Sequence, residues 1–363
     1  MRYCLPDTYN VDTAYAAPDL LSALKADRID PMDLQSLKIT KIDPKKNELV
    51  EIFDILTENR LINAILHLDL SYNALVEIPD GLFKACGQLE KLALQGNCLT
   101  HISDNLLADL PNLRYLNLSN NHIKYLPNTA FLELKNLISL DLSRNQIEKI
   151  SGPVFEPLSS LVTLNLAHNH IRCLSQDVFY HLVQLQSLQL NNNALSSKNA
   201  FEESIFWDLY SLQWLNLSEN QIESMPEKLL RGMPYLKRID LENNALSCLP
   251  YNFFYGLCYL EHITLTGNKL ERLHPDQFFG LQKLISLHMG TNKIEHIPAS
   301  LFLHQTSLKL INFSKNRLST FPLTSVEHIA SLKTINISDN PMDKKESAEI
   351  EACASKLPMR ISV

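Results

Sequence analysis

Four side chains at regularly spaced positions have the chemistry of a binding surface. Trp214, Arg238 and His262 follow one another at intervals of 24 residues, and His288 follows 26 residues after His262. Trp and Arg are the residue types that most often dominate protein interfaces, at about 2 kcal/mol or more each when truncated. These positions therefore predict a surface that binds a partner protein.

Three carboxylates accompany this group, at Glu219, Asp240 and Glu242. Histidines with a carboxylate could bind a metal, but His262, His288 and Asp240 lack the tight spacing of a metal site, and solvated polar side chains explain them. The chain has no phosphate-binding glycine loop and no signature of a serine hydrolase or zinc protease. We therefore expect no enzymatic activity, no metal and no cofactor.

The regular spacing comes from a repeat of the form L-x-x-L-x-L-x-x-N-x-L. Three successive copies read LISLDLSRNQI, LVTLNLAHNHI and LQSLQLNNNAL. Every interval between successive repeat asparagines is 24 residues, except that from Asn193 to Asn220, which is 27. The twelve asparagines are Asn73, Asn97, Asn121, Asn145, Asn169, Asn193, Asn220, Asn244, Asn268, Asn292, Asn316 and Asn340.

This pattern resembles the leucine-rich repeat family, in its 24-residue class, over about residues 61–342. The resemblance implies an α/β solenoid shaped as a horseshoe, with a parallel concave β-sheet of about thirteen strands. The L-x-L alternation suits a strand with one buried face, and each repeat buries its leucines only against its neighbours. Because an asparagine amide both donates and accepts, the repeat asparagines should pair with backbone groups in the turn after each strand.

A second apolar column lies ten residues after most of the asparagines and predicts a buried spine beneath the convex side. Proline recurs six residues after several asparagines, for example at Pro127 and Pro250, and it suits turns or extended backbone. We therefore expect short turns or 3₁₀ segments on the convex side. The apolar column consists of Phe83, Leu107, Phe131, Phe155, Phe179, Leu230, Phe254, Phe278, Phe302 and Val326, and Phe206 joins it if the insertion is allowed for.

Both ends of the repeat array need polar caps. Residues 34–42 match the strand half of the repeat, 16–27 read as a short helix, and 47–60 read as a helix with Asn47 as its N-cap. A further helix is expected at 344–356. The predicted organisation is a helical N-terminal cap with a first atypical repeat at 1–60, twelve repeats at 61–342, and a C-terminal helical cap and tail at 343–363.

A second, weaker group of candidate binding residues lies nearer the N-terminus: Tyr115, with Tyr72 and Arg144. The three extra residues of the irregular repeat fall within 195–212, directly before Trp214. Insertions in solenoids map to loops that often lie near the binding side, although a neutral insertion is equally compatible. Within this segment, Trp207 is expected on the convex surface.

The composition argues for a compartment without disulfides. The seven cysteines are odd in number and scattered, which indicates free thiols in a reducing compartment. The first 21 residues lack the long apolar run of a Sec-type signal peptide. The net charge of −7 does not favour nucleic acid, and no apolar run is long enough to span a membrane. We expect a cytoplasmic monomer.

Three functions fit this fold to different degrees. The first is a non-catalytic interaction scaffold that binds a partner on its concave surface. The tail KKESAEIEACASKLPMRISV resembles the Glu-rich C-terminal secretion signal of type IV effectors of Legionella-like bacteria, which would act on a host protein; a capping helix explains the same glutamates. The second is a secreted or cell-surface ligand-binding repeat protein, whose usual cysteine caps are missing here. The third, a catalytic effector, lacks room for an enzyme domain outside the repeats.

Overall fold

The computed structural model describes residues 13–43, 45–196, 201–354 and 359–363. The side chains of Thr13, Cys353 and Ala354 are not part of this description. The chain divides into two compact units, Met1–Ser187 and Leu188–Val363. Each unit is built from the same strand-and-turn repeat, and we describe the two in turn.

The first unit begins with a cap and continues with repeats. Its consecutive sheet strands pair in parallel, so that the leucine of one strand lies beside the leucine of the next, as with Leu92 and Leu116. A separate two-stranded sheet pairs β7 with β9. The strands are β1 (Thr13–Ala16), β2 (Ser36–Thr40), β3 (His67–Asp69), β4 (Lys91–Ala93), β5 (Tyr115–Asn117), β6 (Ser139–Asp141), β7 (Lys149–Ile150), β8 (Thr163–Asn165) and β9 (Cys173–Leu174).

The second unit is built from the same pattern of parallel strands. From β11 onward each strand pairs in parallel with the next, up to the last strand of the chain. The strand β10 (Ser187–Gln189) contains the division between the units. The remaining strands are β11 (Trp214–Asn216), β12 (Arg238–Asp240), β13 (His262–Thr264), β14 (Ser286–His288), β15 (Leu310–Asn312), β16 (Thr334–Asn336) and β17 (Arg360–Ser362).

The helices lie at the ends of the chain, as the cap argument predicts. They are α1 (Ala17–Lys25), α2 (Glu48–Glu58) and α3 (Lys344–Ala354), with 3₁₀ segments at Pro31–Leu34, Ile62–Ala64 and Leu323–Ser325. One prediction needs correction: Asn47 occupies the N-cap position of α2, but its side chain makes no capping hydrogen bond. The neighbouring Glu48 carboxylate instead accepts from the backbone N–H of Asp43, at 3.3 Å.

The parallel sheet has fifteen strands, two more than the repeat count predicts. The additional strands are β1 and β17, at the two ends of the described chain. Their sequences, TAYA and RIS, lack the leucine signature. They pair with β2 and β16 through backbone groups, which any sequence can supply. The predicted solenoid of parallel strands is otherwise confirmed.

The core follows the two predicted apolar columns. The strand leucines are buried, and so are all eleven residues of the column beneath the sheet, with Phe131 and Phe155 stacked at 6.0 Å between ring centres. Turns and one short 3₁₀ segment, in place of full helices, connect the repeats on this side. Among the described residues, no helix has both the length and the apolar character needed to cross a bilayer.

The repeat asparagines hold the turns together through the backbone. Asn268 is typical: its Oδ1 accepts from the N–H of Leu246 at 3.1 Å, and its Nδ2 donates to the carbonyls of Leu241 and Leu265 at 2.9 and 3.0 Å. One side chain thus satisfies backbone groups of its own repeat and of the preceding one. The buried partners are of two kinds, backbone N–H groups and backbone carbonyls. A leucine or an ionised aspartate of similar size could not pair with both.

Candidate functional site

The solvent-facing positions of the strands form what we call the sheet face. The main-sheet strand of each of the twelve repeats has three residues. The middle one is buried, and the first and third point to the opposite side of the sheet. Parallel pairing therefore aligns the first residues Trp214, Arg238 and His262 in one row. The same pairing aligns Asp240 and His288 with Thr264 in a second row, at the third position. The predicted concave positions of the second unit are thus brought together.

Asp240 joins the two interface-type residues. Its carboxylate Oδ2 accepts from the indole Nε1 of Trp214 at 3.0 Å and from Nε of Arg238 at 2.8 Å. Its Oδ1 is 3.3 Å from Nη2 of the same guanidinium. The guanidinium carbon of Arg238 lies 5.6 Å from the centre of the Trp214 ring, within cation–π range. We call Trp214, Arg238 and Asp240 the Asp240 hub.

Burial differs sharply within the hub. The Asp240 side chain is 8% exposed, whereas that of Arg238 is 52% exposed. A buried carboxylate needs paired donors. Trp214 on the neighbouring strand β11 and Arg238 on the same strand β12 supply them. The hub therefore fixes the orientation of an exposed guanidinium and a half-buried indole from below.

The two histidines lie beside the hub but differ in their contacts. His262 Nδ1 is 2.7 Å from Oγ of Ser286 on the next strand. Burial lowers the pKa of His262, with Arg238 acting in the same direction and Glu261 opposing it. Burial also lowers the pKa of His288, and His262 and Arg238 lower it further. Both rings are therefore predominantly neutral near pH 7.

The remaining carboxylates lie where the strands end and the chain turns. Glu219 takes a left-handed turn conformation, with φ of 53°, and its Oε2 accepts from Nδ2 of Asn192 at 2.6 Å. Burial raises the pKa of Glu242, and the charges of Asp240 and Glu219 raise it further. Negative charge therefore accumulates at the strand ends, on the side of the hub away from Arg238.

This arrangement has the chemistry of recognition. Its polar groups are a guanidinium, an indole N–H, imidazoles and carboxylates, several of them held by hydrogen bonds within and between strands. Within the described residues, no group of three or more His, Cys, Asp or Glu side chains is placed to hold a metal ion. A pocket of about 370 Å³ lies elsewhere, beside Asp104 and Thr129 in the first unit.

The second group of candidate residues lies in the first unit. Lys91 Nζ is 5.3 Å from the centre of the Tyr115 ring, a cation–π contact between adjacent strands. Tyr72 and Arg144 both take left-handed turn conformations before a repeat asparagine, and both are exposed. The Tyr72 ring covers Gly96, where an added Cβ would lie 2.3 Å from the ring. Tyr72 therefore has a structural contact of its own.

The irregular repeat is described only in part. Residues 197–200, which contain most of the insertion, lie outside the described residues, as do residues 355–358 of the tail and the first twelve residues. In the described part, Ser196 forms an isolated parallel β-bridge with Gln221. Phe206 is buried in the apolar column, and Trp207 is exposed as predicted.

Reasoning from the sequence alone missed one set of charged residues on the sheet face. Four exposed cations occur at or directly before the first residue of strands in the second unit: Lys237, Lys309, Lys333 and Arg360. The first three hold the same place in the repeat, one residue before the row that begins with Trp214. Comparing that single position across all the repeats would have revealed them.

The leucine pattern and the fold match a known family. The family model described as leucine rich repeat matches residues 65–123, 111–171, 135–195, 159–222, 196–246, 234–294 and 283–342. The chain belongs to the leucine-rich repeat family. Members of this family are typically non-enzymatic scaffolds for protein interactions.

Solved structures of several leucine-rich repeat proteins are similar to this chain in fold. An internalin from Listeria monocytogenes is 20% identical, with a TM-score of 0.72, over 95% of this chain and 93% of the internalin chain. A leucine-rich repeat protein from Leptospira interrogans is 23% identical, with a TM-score of 0.66, over 97% of this chain and all of the other. At this level of identity the likeness concerns the fold alone.

A chain of a third solved structure is similar over part of its length. The structure of the Toll–Spatzle complex of Drosophila contains a chain that is 24% identical, with a TM-score of 0.68, over 86% of this chain. The match spans 45% of that longer chain. No curated protein is similar enough to this chain to count as a match.

Proposed function

We propose that this leucine-rich repeat protein is a non-catalytic scaffold that binds a partner protein on the sheet face of its second unit. The Asp240 hub carries the proposal. Trp214, Arg238, His262 and His288 are the expected contact residues, with Asp240, Glu219 and Glu242 shaping the charge around them. Tyr115 in the first unit is a separate candidate contact.

The physical argument rests on preorganisation. Long side chains lose rotamer freedom when they bind, and this loss reduces affinity. Asp240 already holds the guanidinium of Arg238 and the indole of Trp214 in the unbound protein. A partner would therefore meet two interface-type side chains whose ordering has largely been achieved by folding.

The hub also leaves binding capacity unused. Asp240 engages Nε and Nη2 of Arg238, so Nη1 remains for a partner group. One face of the Trp214 ring is approached by the guanidinium, and the residue as a whole is only half-buried. A residue with only a structural role in this position would bury more of its surface.

The proposed compartment is the cytosol. A more specific form of this proposal is that the protein is secreted into a host cell and acts in the cytosol of that cell. The described cysteines Cys86, Cys98, Cys173, Cys248 and Cys258 are free thiols, which suits a reducing compartment. The Glu-rich tail motivates the secreted-effector version. The hydroxyl of Thr320 donates to the Glu346 carboxylate, which supports a capping role for the same helix, so the two interpretations need an experiment.

The test of the binding surface is an affinity capture from eukaryotic cell lysate. Wild type is run beside the double variant Trp214→Ala, Arg238→Glu, and retained proteins are identified by mass spectrometry. We expect one protein to be retained by wild type and lost by the variant, and the purified pair to show at least a tenfold difference in Kd, equivalent to about 1.4 kcal/mol. Circular dichroism checks that the variant is folded.

A matched control uses the first unit. Tyr115→Ala removes an aromatic side chain at the same position of a repeat, without touching the hub. We expect it to leave the captured protein in place. If Tyr115→Ala abolishes capture while the double variant does not, the binding surface lies in the first unit and the proposed site is wrong. Capture by all forms alike would contradict both locations.

A second candidate function is ligand binding by a secreted or cell-surface protein. The similarity in fold to a chain of the Toll–Spatzle complex is the observation that favours it. A thiol titration after denaturation separates the two, on protein purified from its native source. Seven reactive thiols, one for each cysteine of the sequence, support the cytosolic proposal, whereas paired cysteines support secretion.

A further inference from the structure

The starts of the strands in the second unit are basic. From β12 to β17, the first residue of each strand and the residue before it include five permanent cations and one carboxylate, Glu261. The equivalent positions of the five main-sheet strands β3, β4, β5, β6 and β8 in the first unit include two cations and one carboxylate. We call the five cations the basic row: Lys237, Arg238, Lys309, Lys333 and Arg360.

These side chains are available to a ligand. All five are exposed. Among the described residues, the only ion pair that involves any of them is that of Arg238 with Asp240. That pair engages one edge of the guanidinium and leaves Nη1 uncommitted. The basic row therefore presents positive charge that the protein itself does not neutralise.

The neighbouring groups sharpen this charge pattern. Glu261 is half-buried and lies beside His262, whose pKa it raises against the larger effect of burial. The other carboxylates of the site, Glu219, Asp240 and Glu242, lie within or beyond the strands, toward the strand ends. The sheet face of the second unit is thus positive where strands begin and negative where they end near the hub.

The geometry of the sheet sets the length of the ligand. The row spans six successive strands, β12 to β17, with cations on four of them, and parallel strands are about 4.8 Å apart. The row therefore extends over about 24 Å. An extended peptide rises about 3.3 Å per residue, so about eight residues could follow the row across the strands.

We propose that the basic row binds an extended acidic segment of the partner protein, with Asp or Glu side chains meeting Lys309, Lys333 and Arg238. The inference rests on the proposed function, because it names the chemistry of the partner at that same sheet face. It adds the strand starts of β15 to β17 to a site that was otherwise centred on the Asp240 hub.

A protein ligand fits better than a nucleic acid. The net charge of the chain is −7, which opposes the approach of a long polyanion. The carboxylates at the strand ends would repel a phosphate backbone lying over the hub, whereas a peptide can place neutral or cationic side chains there. Exposed charge pairs are individually weak and are screened by salt, so the acidic segment supplies specificity while the hub supplies the apolar contact.

The experiment pans a phage library of random peptides, each about ten residues long, against the full chain. The test variant is Lys309→Glu with Lys333→Glu. The matched control is Lys269→Glu with Lys344→Glu, which makes the same change in net charge at two exposed lysines outside the strand starts. Circular dichroism and a thermal melt verify that both variants are folded.

We expect Asp and Glu to be enriched among peptides selected by wild type and by the control, and the enrichment to disappear with the test variant. A synthetic peptide of the selected sequence should bind the test variant about tenfold more weakly in fluorescence anisotropy. Its binding to wild type should weaken as salt rises from about 50 to about 200 mM.

Other results would overturn the inference. Selected peptides that depend on Trp214 but contain no excess of Asp or Glu would leave the proposed binding surface standing and remove the acidic partner. Selection that depends on neither Trp214 nor the basic row, or no selection by wild type, would contradict both proposals. If single-stranded RNA of about ten nucleotides binds wild type more tightly than the acidic peptide and loses binding in the test variant, the ligand is a nucleic acid.

Discussion

The sheet faces of the two units differ in how their polar side chains are used. In the first unit they pair with one another across strands: Thr163 donates to Ser139 at 2.6 Å, and Asn165 donates to Asp141 at 3.3 Å. Lys38 lies 2.9 Å from Asp69 in the cap region. In the second unit Asp240 accepts from Trp214 and Arg238, and His262 lies 2.7 Å from Ser286, but the cations along the strand starts are exposed.

The comparison indicates that the same repeat can build a common core and still present different sheet faces. The leucines and asparagines are the same in both units, so both have the same core and the same turns. The positions between them are free to vary, because they contribute little to the core. In the first unit several of them hydrogen-bond with each other, whereas in the second unit the ring of Trp214 is half-buried and the basic row is exposed. We expect binding mutations to act in the second unit and stability mutations to act in both.

The largest expected effect concerns the asparagines and should be equal in the two units. Asn121→Ala and Asn268→Ala each remove one acceptor and two donors from buried backbone partners. Each variant should lose about 3 kcal/mol of stability, measured from the urea midpoint by circular dichroism. A loss in one unit only would show that the two cores are not equivalent.

A smaller effect on stability should distinguish Asp240 in the second unit from Asp141 in the first unit, both of which are buried. Asp240→Asn weakens the bonds to Trp214 and Arg238 and should cost about 1 kcal/mol, since Arg238 is half-exposed. Burial raises the pKa of Asp141, so the fold disfavours its charge, and Asp141→Asn should change stability by less than about 0.5 kcal/mol. Equal losses in urea unfolding would remove this distinction between the units.

The pH dependence should reside in the second unit. The folded-state pKa values of His262 and His288 are lower than the ordinary 6.5. Their contribution to stability is therefore complete above pH 6.5 and declines as the pH falls below it, because the unfolded chain binds protons first. The urea midpoint should fall between pH 7 and about 5.5.

Two variants test the assignment to the histidines. The double variant His262→Gln, His288→Gln should flatten the pH profile in this window. Arg238→Gln should raise both histidine pKa values, measured by NMR titration, because Arg238 lowers them. Burial and the charges of Asp240 and Glu219 raise the pKa of Glu242 above its ordinary 4.5. Its effect on stability has the opposite sign, because the folded protein binds this proton more readily as the pH falls. An unchanged profile in both variants would place the pH dependence elsewhere.

The smallest effect is on reactivity and leaves stability unchanged. Burial raises the pKa of Cys86 in the first unit to about 12, whereas Cys248 and Cys258 in the second unit are exposed. A thiol reagent at pH 8 should label the two exposed cysteines in the folded protein and Cys86 only after unfolding. Mass spectrometry of the labelled peptides provides the measurement, and rapid labelling of Cys86 would contradict its place in the core.

The repeat made much of the fold predictable. Every asparagine of the signature and every residue of the second apolar column takes its predicted place, because each has one environment that suits it. The strands β1 and β17 could not be predicted, since they pair through backbone groups without a leucine pattern. The missing side-chain cap at Asn47 has a similar origin: a cap depends on the local backbone geometry, which the residue type alone does not specify.

The candidate site was predictable only as a set of positions. The spacing placed Trp214, Arg238 and His262 in one row, and parallel pairing confirms that row. The role of Asp240 as the common partner of Trp214 and Arg238 did not follow from spacing, because it depends on rotamers and on distances of about 3 Å. The basic row did not follow from that spacing, because three of its lysines, Lys237, Lys309 and Lys333, lie one residue earlier in the repeat.

The sequence by itself determined the family, the repeat register, the buried columns and the asparagine-held turns. Each of these follows from a period that local chemistry imposes, an apolar residue every second position of a strand and an amide at every turn. Only the tertiary structure decided which polar side chains pair with each other and which stay exposed. That choice depends on side chains from separate strands, 24 or more residues apart in the chain, whose contact exists only after the strands have stacked.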